Sequence, residues 1–238
     1  MPRTHYVGKP RNITEALLKE IKPHHHVLAV GPDIVPCDAT PIIAASALRK
    51  ERGGQLTVMD SQWRSRDFAR TSRGSHGAGG LDSFMSNMRS LEERGYIKVR
   101  PEFRAGDYRD LLGPYGDGPL PEESLDVVLE QNMIRHHEPW EQTAIADGCH
   151  AVLRRGGKVL VVHSDYSGNY PKAEDIAKVF RERGFRVRMK PDLSRAYDLR
   201  RIPNFAEARS DTIDSFTNQD RLLARDKATL IVATKPKK

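Results

Sequence analysis

Leu125-Asp126-Val127-Val128-Leu129-Glu130, followed by Gln131-Asn132-Met133-Ile134-Arg135-His136-His137, is the stretch that decides the architecture. A short apolar run that ends in polar residues reads as a strand buried on both faces with a polar turn at its carboxyl end. Toward the C-terminus the period changes. Trp140 to Leu153 reads as a helix, Arg154-Arg155-Gly156-Gly157 as a turn, and Lys158 to His163 as a second buried strand. A strand, helix, strand unit of this kind implies parallel strands joined by a crossover.

The same rhythm runs through the rest of the chain. Residues 12 to 21 read as a helix capped by Asn12, with Ile13, Leu17, Leu18 and Ile21 as its apolar stripe and Pro23 as its stop. His26 to Gly31 is a strand, Pro41 to Glu51 a helix closed by Gly53-Gly54, and Gln55 to Asp60 a strand ending on an acid. Residues 61 to 80 carry Arg64, Arg66, Arg70 and Arg73 before a glycine-rich end, at a length typical of a lid, a binding loop or disorder. Leu81 to Arg94 is a helix, and Tyr96 to Val99 with Phe103 is a strand region. A helix at Lys172 to Arg183, a strand at Phe185 to Met189, an arginine-rich insert at 193–218 and a strand at Ala228 to Ala233 complete the chain. The last two strands lack a connecting helix, which predicts an antiparallel ending. The expected fold is α/β, a doubly wound and mostly parallel seven-stranded sheet. Residues 1–23 are expected as an N-terminal helical cap and 24–238 as the α/β domain, with inserts near 61–80 and 193–218.

In such a sheet, ligands bind outside the carboxyl ends of the strands, near the switch in strand order. That selects Gly31 and Asp33; Asp60 and Ser61; Asp107 and Tyr108; Gln131 and Asn132; and then His136 and His137. An acid at the end of the second strand offers two acceptor oxygens to the hydroxyls of a ribose, which is a nucleoside-site pattern.

On these residues the sequence resembles the class I S-adenosylmethionine-dependent methyltransferases. Ser124 to Leu129 followed by Asn132 to His137 is similar to the family's fourth-strand signature, and Ala151 to Leu160 to its helix, glycine turn and fifth strand. Lys227 to Thr234 resembles its antiparallel seventh strand. The resemblance implies a Rossmann-like methyltransferase fold with S-adenosylmethionine as cofactor. It implies Asp60 at the ribose, Asp107 and Tyr108 at the adenine, and Gln131 and Asn132 in the methyl-transfer cleft; Ser61 is a cofactor-binding candidate by its place after the second strand. The first loop departs from the pattern. Ala29 to Pro36 holds one glycine, Gly31, and no acid at the strand end, so Asp33 is the candidate replacement. His136 and His137 are candidate proton acceptors, as a near-neutral pKa suits that task; a solvated entrance to the following helix explains them equally well.

Composition narrows the classes of function. The chain has 238 residues, 38% of them apolar and 30% charged, enough to fill a core. No segment has the length of a transmembrane helix, and the start lacks the apolar centre of a signal peptide, so a cytoplasmic protein with no membrane partner is expected. Cys37 and Cys149 show no metal spacing, and adjacent His24-His25-His26 alternate faces, so no metal is expected. The net charge of +7 is spread along the chain in arginine-rich stretches that alternate with acids, so charge alone decides no partner. Aromatic residues are sparse among the arginines, and Gln131-Asn132-Met133-Ile134 lacks the Asn-Pro-Pro-aromatic pattern of base-amine methylation, which disfavours nucleic acid. The absence of Gly-x-Gly-x-x-Gly argues against a nicotinamide enzyme. The expected substrate is a small molecule, anionic if the inserted arginines clamp it. RNA or protein methylation, or a non-catalytic binding or scaffold role, are the alternatives.

Overall fold

The computed structural model describes residues 12–31, 40–60, 80–114, 116–164, 170–194, 202 and 227–237. Seven strands form one sheet: β1 (His26–Val30), β2 (Gln55–Asp60), β3 (Glu102–Ala105), β4 (Leu125–Gln131), β5 (Leu153–Ser164), β6 (Arg186–Ser194) and β7 (Lys227–Thr234). Their order is β3-β2-β1-β4-β5-β7-β6. The pairs β1–β2, β1–β4, β2–β3 and β4–β5 are parallel, and β7 runs antiparallel to both β5 and β6. Strand order therefore reverses between β1 and β4, which opens a crevice at their carboxyl ends.

Side chains that alternate along the central strands fill two cores, one on each face of the sheet. Val27, Ala29, Val127, Leu129, Leu160 and Val162 share a cluster with Ile13 and Leu17 of α1 (Ile13–Glu20), Ile42 and Ile43 of α2 (Thr40–Ala47), and Met88 and Leu91 of α3 (Gly80–Glu93). Leu28, Val30, Val128, Val159 and Val161 face the other way. There they meet Ile145, Cys149 and Val152 of α4 (Pro139–Val152) and Ile176 and Phe180 of α5 (Ala173–Glu182).

The N-terminal helix α1 belongs to the first of these cores. Asn12 Oδ1 accepts from the Glu15 N–H at 2.9 Å, which caps the helix, and Asn12 forms a parallel bridge to Ser194 at the end of β6. At the other end, the buried Glu20 carboxylate accepts from Lys158 Nζ at 2.6 Å and Lys190 Nζ at 2.9 Å, with Arg188 at 3.3 Å. Polar contacts thus tie both ends of α1 to the sheet.

Several boundaries differ from the sequence reading. Tyr96 to Val99 is not a strand, and β3 begins at Glu102. Gly95 at φ +76° ends α3, and Tyr96 and Ile97 donate back to the Leu91 carbonyl. Ile97 and Val99 are apolar because they enter the core from this turn. The expected turn at Arg154–Gly157 lies inside β5. The register against β4 jumps there from Leu125–Leu153 to Val127–Lys158, with Gly156 at φ +82°, so the glycines form a bulge. Strand β6 continues past Met189 to Ser194, with a register break between Lys190 and Leu193 around Pro191. The expected helix from Pro41 to Glu51 ends at Ala47, and a separate 3-10 turn spans Lys50–Arg52. Among the described residues no helix is long and apolar enough to cross a membrane.

Candidate functional site

A cavity of about 230 Å³ opens at the carboxyl ends of β1 to β4. Gly31, Met59 and Asp60 contribute to its lining from β1 and β2, Gly106 to Arg109 from the segment after β3, and Met133 and His137 from the turn after β4. Two of its glycines carry methionine thioethers against them. Gly31 sits at φ +54°, where a side chain is strained, and a Cβ there would lie 2.5 Å from Met133 Cε. A Cβ on Gly106 would lie 2.5 Å from Met59 Sδ. Both fillers are unbranched and pliable.

The polar wall is a chain of charges. Arg109 grips Asp107, with Nε 3.0 Å from Oδ1, Nη2 2.6 Å from Oδ2, and its own N–H donating to Oδ1 at 2.9 Å. The second arm of the guanidinium donates from Nη1 to Glu141 Oε1 at 2.9 Å. Glu141 Oε2 accepts from the Glu138 N–H at 2.9 Å and lies 3.5 Å from His137 Nδ1. The hydrogen bonds from Arg109 hold both carboxyls below their ordinary range, against a smaller opposing effect of burial. Tyr108 turns its hydroxyl away into the core, where it accepts from the Cys149 thiol at 3.7 Å. Burial raises the phenol well above its usual pKa and pushes the thiol up to about 12.

The structure brings Gly31, Asp60, Asp107, Tyr108 and His137 together. Gln131 and Asn132 end β4 outside the cavity lining. Asn132 adopts φ +56° and ties the strand ends together, its N–H donating to the Val162 carbonyl at 3.0 Å and its Oδ1 accepting from the Ser164 N–H at 2.8 Å. His136 is exposed and stands apart, edge-on to Tyr170 at 4.9 Å between centroids, with Arg135 Nε donating to its Nε2 at 3.3 Å. Asp33, Ser61 and the arginines expected in the two inserts lie outside the described residues.

Sequence reasoning missed Met59, Met133, Arg109, Glu141 and Glu130. Glu141 was signalled by its place four residues after His137 on a helix start. The remaining signal was Glu130, an acid inside an apolar strand. It is buried, and its Oε2 accepts from the Met133 N–H at 2.7 Å, closing the turn that carries Met133 and His137.

No protein-family model and no curated protein matches the sequence. Solved structures match by shape. A geranyl diphosphate C-methyltransferase from Streptomyces coelicolor A3(2), crystallised with Mg2+, geranyl diphosphate and S-adenosyl-L-homocysteine, aligns at a TM-score of 0.51 and 11% identity over 93% of this chain and 79% of that one. A phosphoethanolamine N-methyltransferase 2 of Haemonchus contortus, in complex with S-adenosyl-L-methionine, aligns at 0.51 and 16% over 94% of this chain and 52% of that one, so this chain spans about half of it. This is the class I S-adenosylmethionine-dependent methyltransferase fold. The cyclase SpnF shares it, at a TM-score of 0.56 and 14% identity over 94% of this chain and 80% of that one. The class I fold thus carries more than one kind of reaction, and function has to be argued from the site.

Proposed function

We propose that the chain is an S-adenosylmethionine-dependent methyltransferase acting on a small molecule. The observation that carries the reading is Asp60 at the carboxyl end of β2, in one cavity with Gly31 at the point where strand order reverses. A carboxylate there suits the two hydroxyls of a ribose. The glycines suit a ligand that approaches the backbone closely, once the thioethers of Met133 and Met59 swing aside. Such movement would enlarge a cavity whose volume of about 230 Å³ lies below the roughly 300–1,000 Å³ usual for ligand pockets. Tyr108 and the Asp107–Arg109 pair would border the adenine, with Asp33 and Ser61 as further candidates for the cofactor and Gln131 and Asn132 for the cleft edge.

The bound cofactor would supply a methyl group already activated on sulfur. The chain's own residues then have two tasks, to align the acceptor and to take its proton. A small-molecule substrate is supported by the neighbours named for such substrates and by the polar turn after β4, which lacks a base-stacking aromatic.

Calorimetric titration with S-adenosylmethionine, and separately with S-adenosylhomocysteine, tests the proposal. Binding at the micromolar level, about −8 kcal/mol, is expected for at least one of them. A folded sample that binds neither overturns it. A non-catalytic binding role would then stand, favoured by Met133 lying over Gly31 and by Arg109 occupying Asp107.

A further inference from the structure

We infer that Glu141 and Arg109 are positioning residues that fix the tautomer of His137, so that its Nε2 is the bare nitrogen offered to the cavity. His137, rather than His136, is then the proton acceptor for the methyl-accepting group. The assignment of that role rests on the methyltransferase reading; the tautomer itself does not.

His137 lines the cavity and is held at three points. Its N–H donates to the Ile134 carbonyl at 3.2 Å, its carbonyl accepts from the buried Gln142 Nε2 at 2.8 Å, and its Nδ1 faces Glu141 Oε2 at 3.5 Å. Glu141 cannot turn away, because Arg109 holds its other oxygen and the Glu138 N–H holds the same one. An ionised carboxylate only accepts, so the carboxylate facing Nδ1 favours the proton of a neutral ring on that nitrogen. The bare nitrogen is left on the opposite edge of the ring. The 3.5 Å separation is that of a loose ion-pair contact.

His136 has the opposite arrangement. Its Nε2 already accepts from Arg135, its ring abuts Tyr170, and it is absent from the cavity lining. A nitrogen engaged by a guanidinium is a poor proton acceptor.

As the acceptor atom bonds to the methyl carbon, the sulfur–methyl bond breaks and its electron pair returns to sulfur, discharging the sulfonium. The acceptor's proton passes to His137 Nε2. The resulting imidazolium is paired with Glu141 and returns its proton to solvent.

Nitrogen NMR of protein labelled at histidine, without any cofactor, reads the tautomer of neutral His137 directly. The Nδ1–H form is expected in the parent, with a shift toward Nε2–H in Glu141→Ala. An Nε2–H form in the parent overturns the inference whatever the variant does, so poor folding of Glu141→Ala cannot shield it. In turnover assays His137→Gln is expected to lower kcat by about 10²–10⁴-fold, and a loss of equal size from His136→Gln overturns the choice between the two. Because the tautomer is read without cofactor, its failure is distinct from a failure to bind S-adenosylmethionine.

Discussion

Asp60 shows how much a single position can carry. Its type and place, an acid closing a strand, are local properties, and the sequence alone singles it out. If it holds ribose hydroxyls, Asp60→Ala leaves those partners unpaired and weakens S-adenosylmethionine binding by roughly 1–3 kcal/mol; affinity equal to the parent in the same titration would rule the assignment out. The charge chain beside it was not legible. Arg109 and Glu141 meet across 32 positions, and Met133 reaches Gly31 across the strand switch, so no spacing rule relates them. His136 and His137 are adjacent and chemically alike in sequence, and only the turn closed by Glu130 directs one to the cavity and the other to Tyr170.

Among the elements, α1 makes the sharpest prediction. Burial raises the Glu20 carboxyl, but its bonds to Lys158 and Lys190 prevail and lower it from 4.5 to about 2. A depressed folded-state pKa stabilises the fold at pH values above the unfolded pKa, and the contribution fades as pH falls from 4.5 toward 2. Glu20→Gln is therefore expected to cost roughly 3 kcal/mol at neutral pH, as breaking a buried pair does, and the deficit should shrink in acid. Urea denaturation at pH 7 and near pH 3 measures both, and a pH-independent deficit would contradict the ionic account. Helix and strand types were mostly readable from periodicity, because the central strands feed both cores and each helix only one. Tyr96 to Val99 misled because an apolar turn plugging a core has the same composition as a buried strand. The bulge in β5 hid behind glycines that also make ordinary turns.

At the scale of the whole molecule, the cavity is assembled from the ends of four strands, so a ligand there stabilises the folded chain globally. With S-adenosylmethionine at about 100 times its Kd, linkage predicts about 2.7 kcal/mol, a rise in Tm of roughly 5–10 °C for a chain of this size. Scanning calorimetry checks it, and no rise at saturating cofactor would count against a site between these strands. Alternation of strand and helix made the sheet legible, since parallel strands demand crossovers. The contacts that seat the first helix were beyond such rules. Glu20 lies 138 positions from Lys158 and 170 from Lys190. At translation rates of about 5–20 residues per second, its partners follow it out of the ribosome only after on the order of ten to thirty seconds. For that interval the Glu20 end of α1 waits without its lysines, while its apolar face already meets α2, whose Ile42 and Ile43 share its core, so the ionic clamp is the last part of this helix's seat to close.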